Sequence, residues 1–419
     1  MTDHHIIFGD ALEVLRGMPV ESVDCAFTSP PYWGLRSYSD DPRELGKEAT
    51  PEGYVARLVE VFAEVRRVLK PAGTLLLNLG DTYAAQRGGT YQPAETLAGG
   101  SGGKMPDGSH TNRGRGDDYV PSRNASAIGL KHKDLVMIPA RVALALQADG
   151  WWLRADIIWA KGLSGEATHG KDAWCGSVMP ESVEDRPNKN AHEHLFLLAK
   201  SERYWYDHYA VQEDGKYPAG TRAAKGGQQR ADEEGVNARP TEYAEYSGKR
   251  NLRNVLTVSP RGFNGAHFAV FPVELPLMLL PAICPPKVCA ECGVAWEHRV
   301  EREAAINAEP TEGKQADLGK RTYTGFNARW DANKDRGGRD LGYHPACFCN
   351  APAIPGTVLD PFCGSGTVAQ AARKLKRRSI GIELNPEYEA VMRERLGLAE
   401  TALFEDVEFI TEEAMNDAP

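Results

Sequence analysis

The chain has 419 residues, 42% hydrophobic and 26% charged, which is enough apolar material for one large domain with insertions or for two to three modules. A formal net charge of −9 and a pI near 5.7 argue against a histone-like binder held to nucleic acid by charge alone, but leave room for a basic cleft. No apolar run approaches a membrane span, the start Met1-Thr2-Asp3-His4-His5 lacks a signal-peptide pattern, and the eight cysteines are clustered; a cytoplasmic protein is expected, and no secreted disulfide framework.

In chain order, Ile6-Ile7-Phe8 reads as a short strand, ended by Gly9-Asp10 before a helix from Ala11 to Met18. Val23 to Phe27 supplies the next strand, and at its end stand Thr28-Ser29-Pro30-Pro31-Tyr32-Trp33. Two prolines cannot donate backbone hydrogen bonds and are pinned near φ ≈ −65°, so the chain leaves the sheet rigid with carbonyls free to accept. A hydroxyl, bare carbonyls and two aromatic faces together suit a flat, amine-bearing ring; by itself the stretch also reads as a Pro-Pro turn with buried aromatics. Helical periodicity runs from Tyr54 to Leu69, with Pro51 ahead of it and Pro71 closing it, and Thr74 to Leu79 follows as a buried strand. Strand, helix, strand points to an α/β sheet.

From Ala84 to about Ile128 the sequence is rich in Gly, Ser, Thr and Arg without a period, which predicts a mobile loop or a lid. A helix from Pro139 to Ala148, stopped by Gly150, precedes a strand from Trp152 to Trp159. His194 to Ala199 is strand-like, with Tyr204-Trp205-Tyr206 expected as its antiparallel partner, and the polar stretch from Asp207 to Gly262 looks inserted. Phe268 to Leu280 is apolar, with Pro272 and Pro276 expected to break it into short pieces. Thr357 to Leu359 then reads as a strand, Asp360 to Thr367 as a tight loop, Val368 to Leu375 as a helix, Ser379 to Glu383 as a strand, and Pro386 to Leu396 as a helix.

That last unit has the form of a nucleotide pocket. Gly364 and Gly366 let backbone approach a ligand, the helix N-terminus offers free N–H groups, and Glu383 ends the next strand, where an acid can accept from ribose hydroxyls. There is neither a Gly-Lys-Ser/Thr phosphate loop nor G-x-G-x-x-G, which makes a sulfonium nucleoside a better guess than ATP or NAD.

Asp360-Pro361-Phe362-Cys363-Gly364-Ser365-Gly366-Thr367, taken with Thr28-Ser29-Pro30-Pro31-Tyr32, resembles the DNA methyltransferases that modify exocyclic amino groups with S-adenosylmethionine. With the catalytic motif first and the cofactor motif last, the order is similar to that of their permuted beta group. The resemblance extends to P-E-S-V-E-D-R-P at 180–187 and H-F-A-V-F-P-V-E-L-P at 267–276. It implies a Rossmann-like class I methyltransferase fold, α/β with a mostly parallel sheet. It further implies Asp360, Pro361, Phe362, Gly364, Ser365, Gly366 and Thr367 around the methionine end of the cofactor, Glu383 on its ribose, Phe271 packed against it and Asp10 lining the pocket. Ser29, Pro30, Pro31 and Tyr32 would be catalytic, with base flipping implied. In the family a Ser at position 29 accompanies N4-cytosine methylation, whereas Asp or Asn there accompanies N6-adenine; cytosine is expected, with adenine the alternative. Double-stranded DNA is the implied partner, and a cognate restriction endonuclease and the oligomeric state stay open. The rivals are a non-catalytic, zinc-stapled nucleic-acid binder and a methyltransferase for RNA or a protein amide.

Cys289-x-x-Cys292 and Cys347-x-Cys349 are two tight thiolate pairs suited to a structural tetrahedral zinc, with Cys284, His298 and His344 near enough in sequence to substitute. Arg113, Arg115 and Arg123 in the Gly-rich stretch, and Lys249, Arg250 and Arg253 in the insertion, are the candidate DNA-backbone contacts. The expected division is 1–84 and 129–209 for the methyltransferase domain, 85–128 for the loop and 210–262 for a target-recognition insertion. After these come 263–283 for a cofactor-side segment, 284–351 for a zinc module and 352–419 for the cofactor-binding half.

Overall fold

The central strands are apolar runs covered on both faces, the pattern that forces a parallel sheet inside helical layers. The computed structural model describes residues 3–35, 39, 41–84, 128–162, 191–216, 222–224, 243–245, 248–260, 271–301, 339–398, 406–412 and 414. The chain divides into two compact units, one made of residues 1–206, 253–286 and 354–419, the other of residues 207–252 and 287–353.

The strands of the first unit are β1 (His4–Phe8), β2 (Val23–Thr28), β3 (Leu69–Leu79), β4 (Trp152–Lys161), β5 (His192–Ala199), β6 (Val255–Val258), β7 (Thr357–Asp360), β8 (Arg378–Glu383) and β9 (Val407–Thr411). They form one nine-stranded sheet in the order β6-β4-β5-β3-β2-β7-β8-β1-β9. Every neighbouring pair is parallel except those made by β5, which runs antiparallel to both β3 and β4. β2 and β7 are buried along their whole length. The helices are α1 (Ala11–Gly17), α2 (Pro51–Val68), α3 (Ile138–Ala148), α4 (Glu274–Ile283), α5 (Thr367–Lys374) and α6 (Tyr388–Arg395). No helix among the described residues is long and apolar enough to cross a membrane.

Several sequence expectations are corrected. Tyr204-Trp205-Tyr206 is not a strand: β5 already has β3 and β4 on its two edges, and Trp205 N donates instead to Ala72 O at 2.9 Å. The polar insertion ends before 262, because Val255–Val258 pairs in parallel with β4. There Leu256 and Val258 are buried while Val255 is exposed, so a half-buried edge strand sits in a polar context that hides it. Pro276 does not break its segment; it occupies the first turn of α4, where backbone N–H groups have no helical acceptor anyway. Pro51 is the first residue of α2, with the Thr50 hydroxyl accepting from Gly53 N at 3.1 Å, and Pro71 lies within β3 rather than at the helix end. The edge strand β9 escaped notice, since Glu408 interrupts its apolar residues.

The turn that follows β2 is braced from α2 and the preceding loop. Tyr54, on the buried face of α2 with Leu58, Phe62 and Val65, donates its hydroxyl to Pro31 O at 2.8 Å. Trp33, 1% exposed, donates its indole N–H to Glu48 O at 2.8 Å. Gly46 has φ +93°, and a Cβ there would lie 3.0 Å from Tyr32 O, so a glycine is required for both reasons.

In the second unit, residues Glu297–Glu301 and Arg339–His344 form an antiparallel ribbon, and Glu213–Asp214 pairs with Lys249–Arg250. Asp207, 4% exposed, accepts from the Tyr343 hydroxyl at 2.5 Å and pairs with His298 Nδ1 at 2.8 Å.

Removing the braces should cost stability in proportion to what each buries. Trp33→Ala is expected to destabilise the protein by about 3–5 kcal/mol, and Tyr54→Phe by about 1–3 kcal/mol through the orphaned carbonyl, both read from urea denaturation midpoints. A Tyr54→Phe midpoint equal to the parent's would show that this bond does not hold the turn.

Candidate active site

β2 and β7 are adjacent and parallel, with Val358 opposite Cys25 and Leu359 opposite Ala26. Their carboxyl ends therefore bring Thr28-Ser29-Pro30-Pro31-Tyr32 beside Asp360-Pro361-Phe362, and Thr28 Oγ1 donates to Asp360 Oδ1 at 2.6 Å. Both segments border one cavity of about 570 Å³, at the carboxyl ends of the strands where ligands of open α/β sheets bind.

On one side the wall is the glycine loop. Pro361, Phe362, Gly364, Ser365 and Thr367 line the cavity together with Gly9, Asp10, Phe271 and Glu383. Asp360 and Gly366 stand behind the wall. Asp360, 3% exposed, accepts from Thr28 and from Phe362 N at 3.2 Å, and burial pushes its carboxyl up to about 7. Gly366, at φ +78°, caps the start of α5 in a left-handed conformation. Glu383 accepts from Gly364 N at 2.8 Å and from Asn385 N at 2.9 Å, and desolvation in the wall pushes it, too, up to about 7. Asp10 is partly committed to α1, since its Oδ1 accepts from Leu12 N at 3.0 Å and Glu13 N at 3.2 Å. Phe271 packs on Phe27 with ring centroids 5.6 Å apart. Ser365 Oγ is buried without a hydrogen-bond partner, and Gly364, at φ +50°, has no heavy atom within 4 Å of where a Cβ would stand. An orphaned hydroxyl and an open backbone next to an acid fit a nucleoside ligand with a polar tail.

The opposite wall holds Ser29, Pro30, Pro31 and Tyr32, with Asn78, Gly80, Trp159, Lys161 and Glu193. Tyr54 occupies the Pro31 carbonyl, which leaves Pro30 as the carbonyl for a ligand. The Tyr32 hydroxyl donates to Glu193 Oε2 at 2.6 Å and accepts from Asn78 Nδ2 at 2.9 Å, and Ser29 Oγ lies 3.4 Å away. Lys161 Nζ pairs with Glu193 Oε1 at 2.6 Å. A Cβ on Gly80 would come within 2.6 Å of Tyr32 Cε2, so the glycine lets the ring lie against the strand end. Sequence reasoning missed Asn78, Lys161 and Glu193. The available signal was a lone amide inside the apolar run Leu75-Leu76-Leu77-Asn78-Leu79, because a polar side chain in a doubly covered strand needs a partner.

In the second unit the sulfur atoms of Cys289, Cys292, Cys347 and Cys349 all lie within 4.8 Å of one another. Cys289 and Cys292 sit on a tight turn in which Gly293 N donates to Cys289 O at 2.9 Å. The Cys292 and Glu291 backbone N–H groups draw the Cys289 thiol down to about 7. His298 is taken up by Asp207 and Asp340, and His344 Nε2 lies 3.0 Å from Leu341 O, so neither histidine joins the cluster. Cys284 is buried at the end of α4, in the first unit.

The basic residues fare differently. Lys249 pairs with Asp214 at 2.6 Å and Arg250 with Glu213 at 3.0 Å across the ribbon, so acids distant in sequence offset the charge that looked unopposed. Arg253 lies just ahead of β6. Arg113, Arg115 and Arg123, most of the Gly-rich loop, residues 180–187 and residues 267–270 fall outside the described residues.

A DNA methylase family profile for N6 and N4 methyltransferases matches residues 23–288 and 303–394. The type II methyltransferase M.XycI of Xanthomonas campestris pv. cyanopsidis is 35% identical over 93% of this chain and 86% of its own length. M.Cfr9I of Citrobacter freundii is 34% identical over the same shares, 93% and 86%. Among solved structures, a PvuII DNA methyltransferase (cytosine-N4-specific) superposes with a TM-score of 0.46 at 17% identity, covering 100% of this chain and 92% of its own. Family profile and full-length relatives agree with the motif pair gathered at the cavity: the chain belongs to the N6/N4 family of DNA methylases.

Proposed function

We propose that the protein methylates the exocyclic amine of a base flipped out of a specific DNA sequence, N4 of cytosine, with S-adenosylmethionine as methyl donor. The observation that carries this reading is the shared cavity. It has an amine-accepting Ser29-Pro30 edge on one wall and a nucleoside-type wall of Gly364, Ser365 and Glu383 on the other. When bound against the second wall, the cofactor supplies an electrophilic methyl group next to the first.

An exocyclic amine is a poor nucleophile because its lone pair is delocalised into the ring. Ser29 Oγ and Pro30 O can hold its hydrogens, favouring a pyramidal nitrogen and the positive charge that develops on it. Tyr32 and Phe271 offer aromatic faces to flat ligands, and the rigid Pro30-Pro31 exit holds the acceptors in line without reorganisation. Glu383 and Ser365 would hold the ribose and the polar tail of the cofactor. The permuted reading has support in the strand order: β2 with the catalytic motif precedes β7 with the cofactor loop, and C-terminal β9 lies beside N-terminal β1. Ser29, as against an acid or amide, favours cytosine. Lys249, Arg250, Arg253 and the arginines of the Gly-rich loop would supply salt-dependent backbone affinity, weaker for the two residues with acidic partners. The four cysteines would hold a structural zinc that staples the second unit.

Mass spectrometry of nucleosides from DNA incubated with protein and S-adenosylmethionine should show N4-methylcytosine; N6-methyladenine alone would overturn the base assignment. Ser29→Ala is expected to cut methyl transfer by about 10²-fold or more with cofactor affinity unchanged, and full activity would overturn its role. Cofactor affinity should rise with pH. Burial holds the Asp360 and Glu383 carboxyls up to about 7, so both are largely protonated below that pH. A cationic ligand and ribose hydroxyls favour the ionised form, so affinity should climb from pH 6 towards pH 8 and flatten above, by at most about tenfold per unit for each group. Titration calorimetry would check this, and Glu383→Gln should lower the slope to the share left by Asp360. Zinc analysis should find about one equivalent per chain, lost in Cys292→Ala together with protease resistance of residues 287–301 and 339–353.

A further inference from the structure

Resting on the methyltransferase reading above, we infer that Glu193 is a positioning residue for transfer, acting with Asn78 and Lys161 to set the direction of the hydroxyl chain from Ser29 through Tyr32. Three neighbouring strands each contribute one polar side chain to the same end of the sheet: Asn78 from β3, Glu193 from β5 and Lys161 from β4. Asn78 is 1% and Glu193 9% exposed, so these groups are withdrawn from water although they border the cavity.

A largely withdrawn ion pair, with the Lys161 side chain 20% and the Glu193 side chain 11% exposed, is a costly way to fill a strand end, since desolvating the carboxylate offsets much of the attraction and an apolar pair would serve stability as well. Its geometry shows what it does instead. Glu193 Oε2 takes the Tyr32 hydroxyl at 2.6 Å and Asn78 Nδ2 at 2.8 Å, while Lys161 Nζ holds Oε1 at 2.6 Å. A carboxylate can only accept, so the single phenolic proton of Tyr32 is directed at Glu193. The Tyr32 oxygen then faces its other neighbours as an acceptor, towards Asn78 Nδ2 at 2.9 Å and Ser29 Oγ at 3.4 Å. The Ser29 hydroxyl donates along this chain; Asn78 Nδ2 reaches Ser29 Oγ only at 3.4 Å, after its shorter bonds to Glu193 and Tyr32, and the Ser29 lone pair turned to the cavity is left for a hydrogen of the target amine. The carboxylate also settles the Asn78 amide, whose N–H side must face Glu193.

The chain polarity is therefore Ser29 to Tyr32 to Glu193, anchored by Lys161. Without the anion, Tyr32 can rotate its proton towards Ser29, and Ser29 then presents a donor to an amine that is itself a donor.

The test is single-turnover transfer to cognate DNA with the full chain, using tritiated S-adenosylmethionine, in a cycle of Glu193→Gln, Tyr32→Phe and the double variant. Glu193→Gln and Tyr32→Phe should each lower the transfer rate by about 10- to 100-fold, with the cofactor Kd and the DNA KM within about twofold of the parent's. The double variant should be no slower than the slower single variant, because both remove the same chain. A parental rate in Glu193→Gln, or losses that multiply in the double variant, overturns the inference. Should Glu193→Gln fail to fold because it strands the lysine charge, Glu193→Gln with Lys161→Gln removes both charges and carries the same expectation. A wild-type protein that labels no DNA overturns the methyltransferase reading and this inference with it; labelling by the wild type with an unaffected Glu193→Gln overturns this inference alone.

Discussion

The site depends on the parallel pairing of β2 with β7, sealed by the hydrogen bond from Thr28 to Asp360 across a sequence separation of 332 residues. Asp360 sits where water cannot reach it, so its carboxyl must be satisfied by the protein, and the Thr28 hydroxyl and the Phe362 backbone do so. Because that bond lies at the carboxyl end of both strands, it registers two loops against each other: one rigid through Pro30-Pro31, the other open through Gly364. Neither loop makes a cavity alone.

Around that junction the structure divides the work between rigidity and charge. Trp33, Tyr54 and Gly46 brace the proline turn from behind, so Ser29 and Pro30 at the cavity need no ordering when a ligand arrives. Glu193, Asn78 and Lys161 add a polar layer beneath Tyr32 that stability alone does not call for. At and behind the other wall, desolvation raises the Glu383 and Asp360 carboxyls to about 7, so a cationic ligand has to displace their protons to meet the ionised forms.

The second unit is held together differently. Among its described residues the buried apolar side chains are Val211, Val288 and Cys289. Its described contacts include the Asp207, His298 and Tyr343 cluster, ion pairs of Glu213 and Asp214 with Arg250 and Lys249, and four sulfurs gathered within 4.8 Å.

Most of the sheet was legible because its central strands are short apolar runs that alternate with helices of clear period, and local pattern is enough to mark such elements. The two ligand-facing motifs were legible as well, since Pro-Pro and Gly-x-Gly constrain the backbone within a few residues. Edge strands were not: β9 is interrupted by Glu408, and β6, only half buried, lies in a polar context and reads as insertion until β4 is seen beside it. The charge at Lys249 and Arg250 also misled, because Glu213 and Asp214 oppose it from another segment. What the sequence determined by itself was the α/β class, the rigid Pro30-Pro31 turn, the glycine loop with its acid and the paired cysteines, all properties of neighbouring residues. Only the tertiary structure decided that β2 lies against β7 and that Asn78, Lys161 and Glu193 meet beneath Tyr32. Those contacts join strands far apart in the chain, and hydrogen bonding between buried polar groups follows spatial neighbours, which no local pattern records.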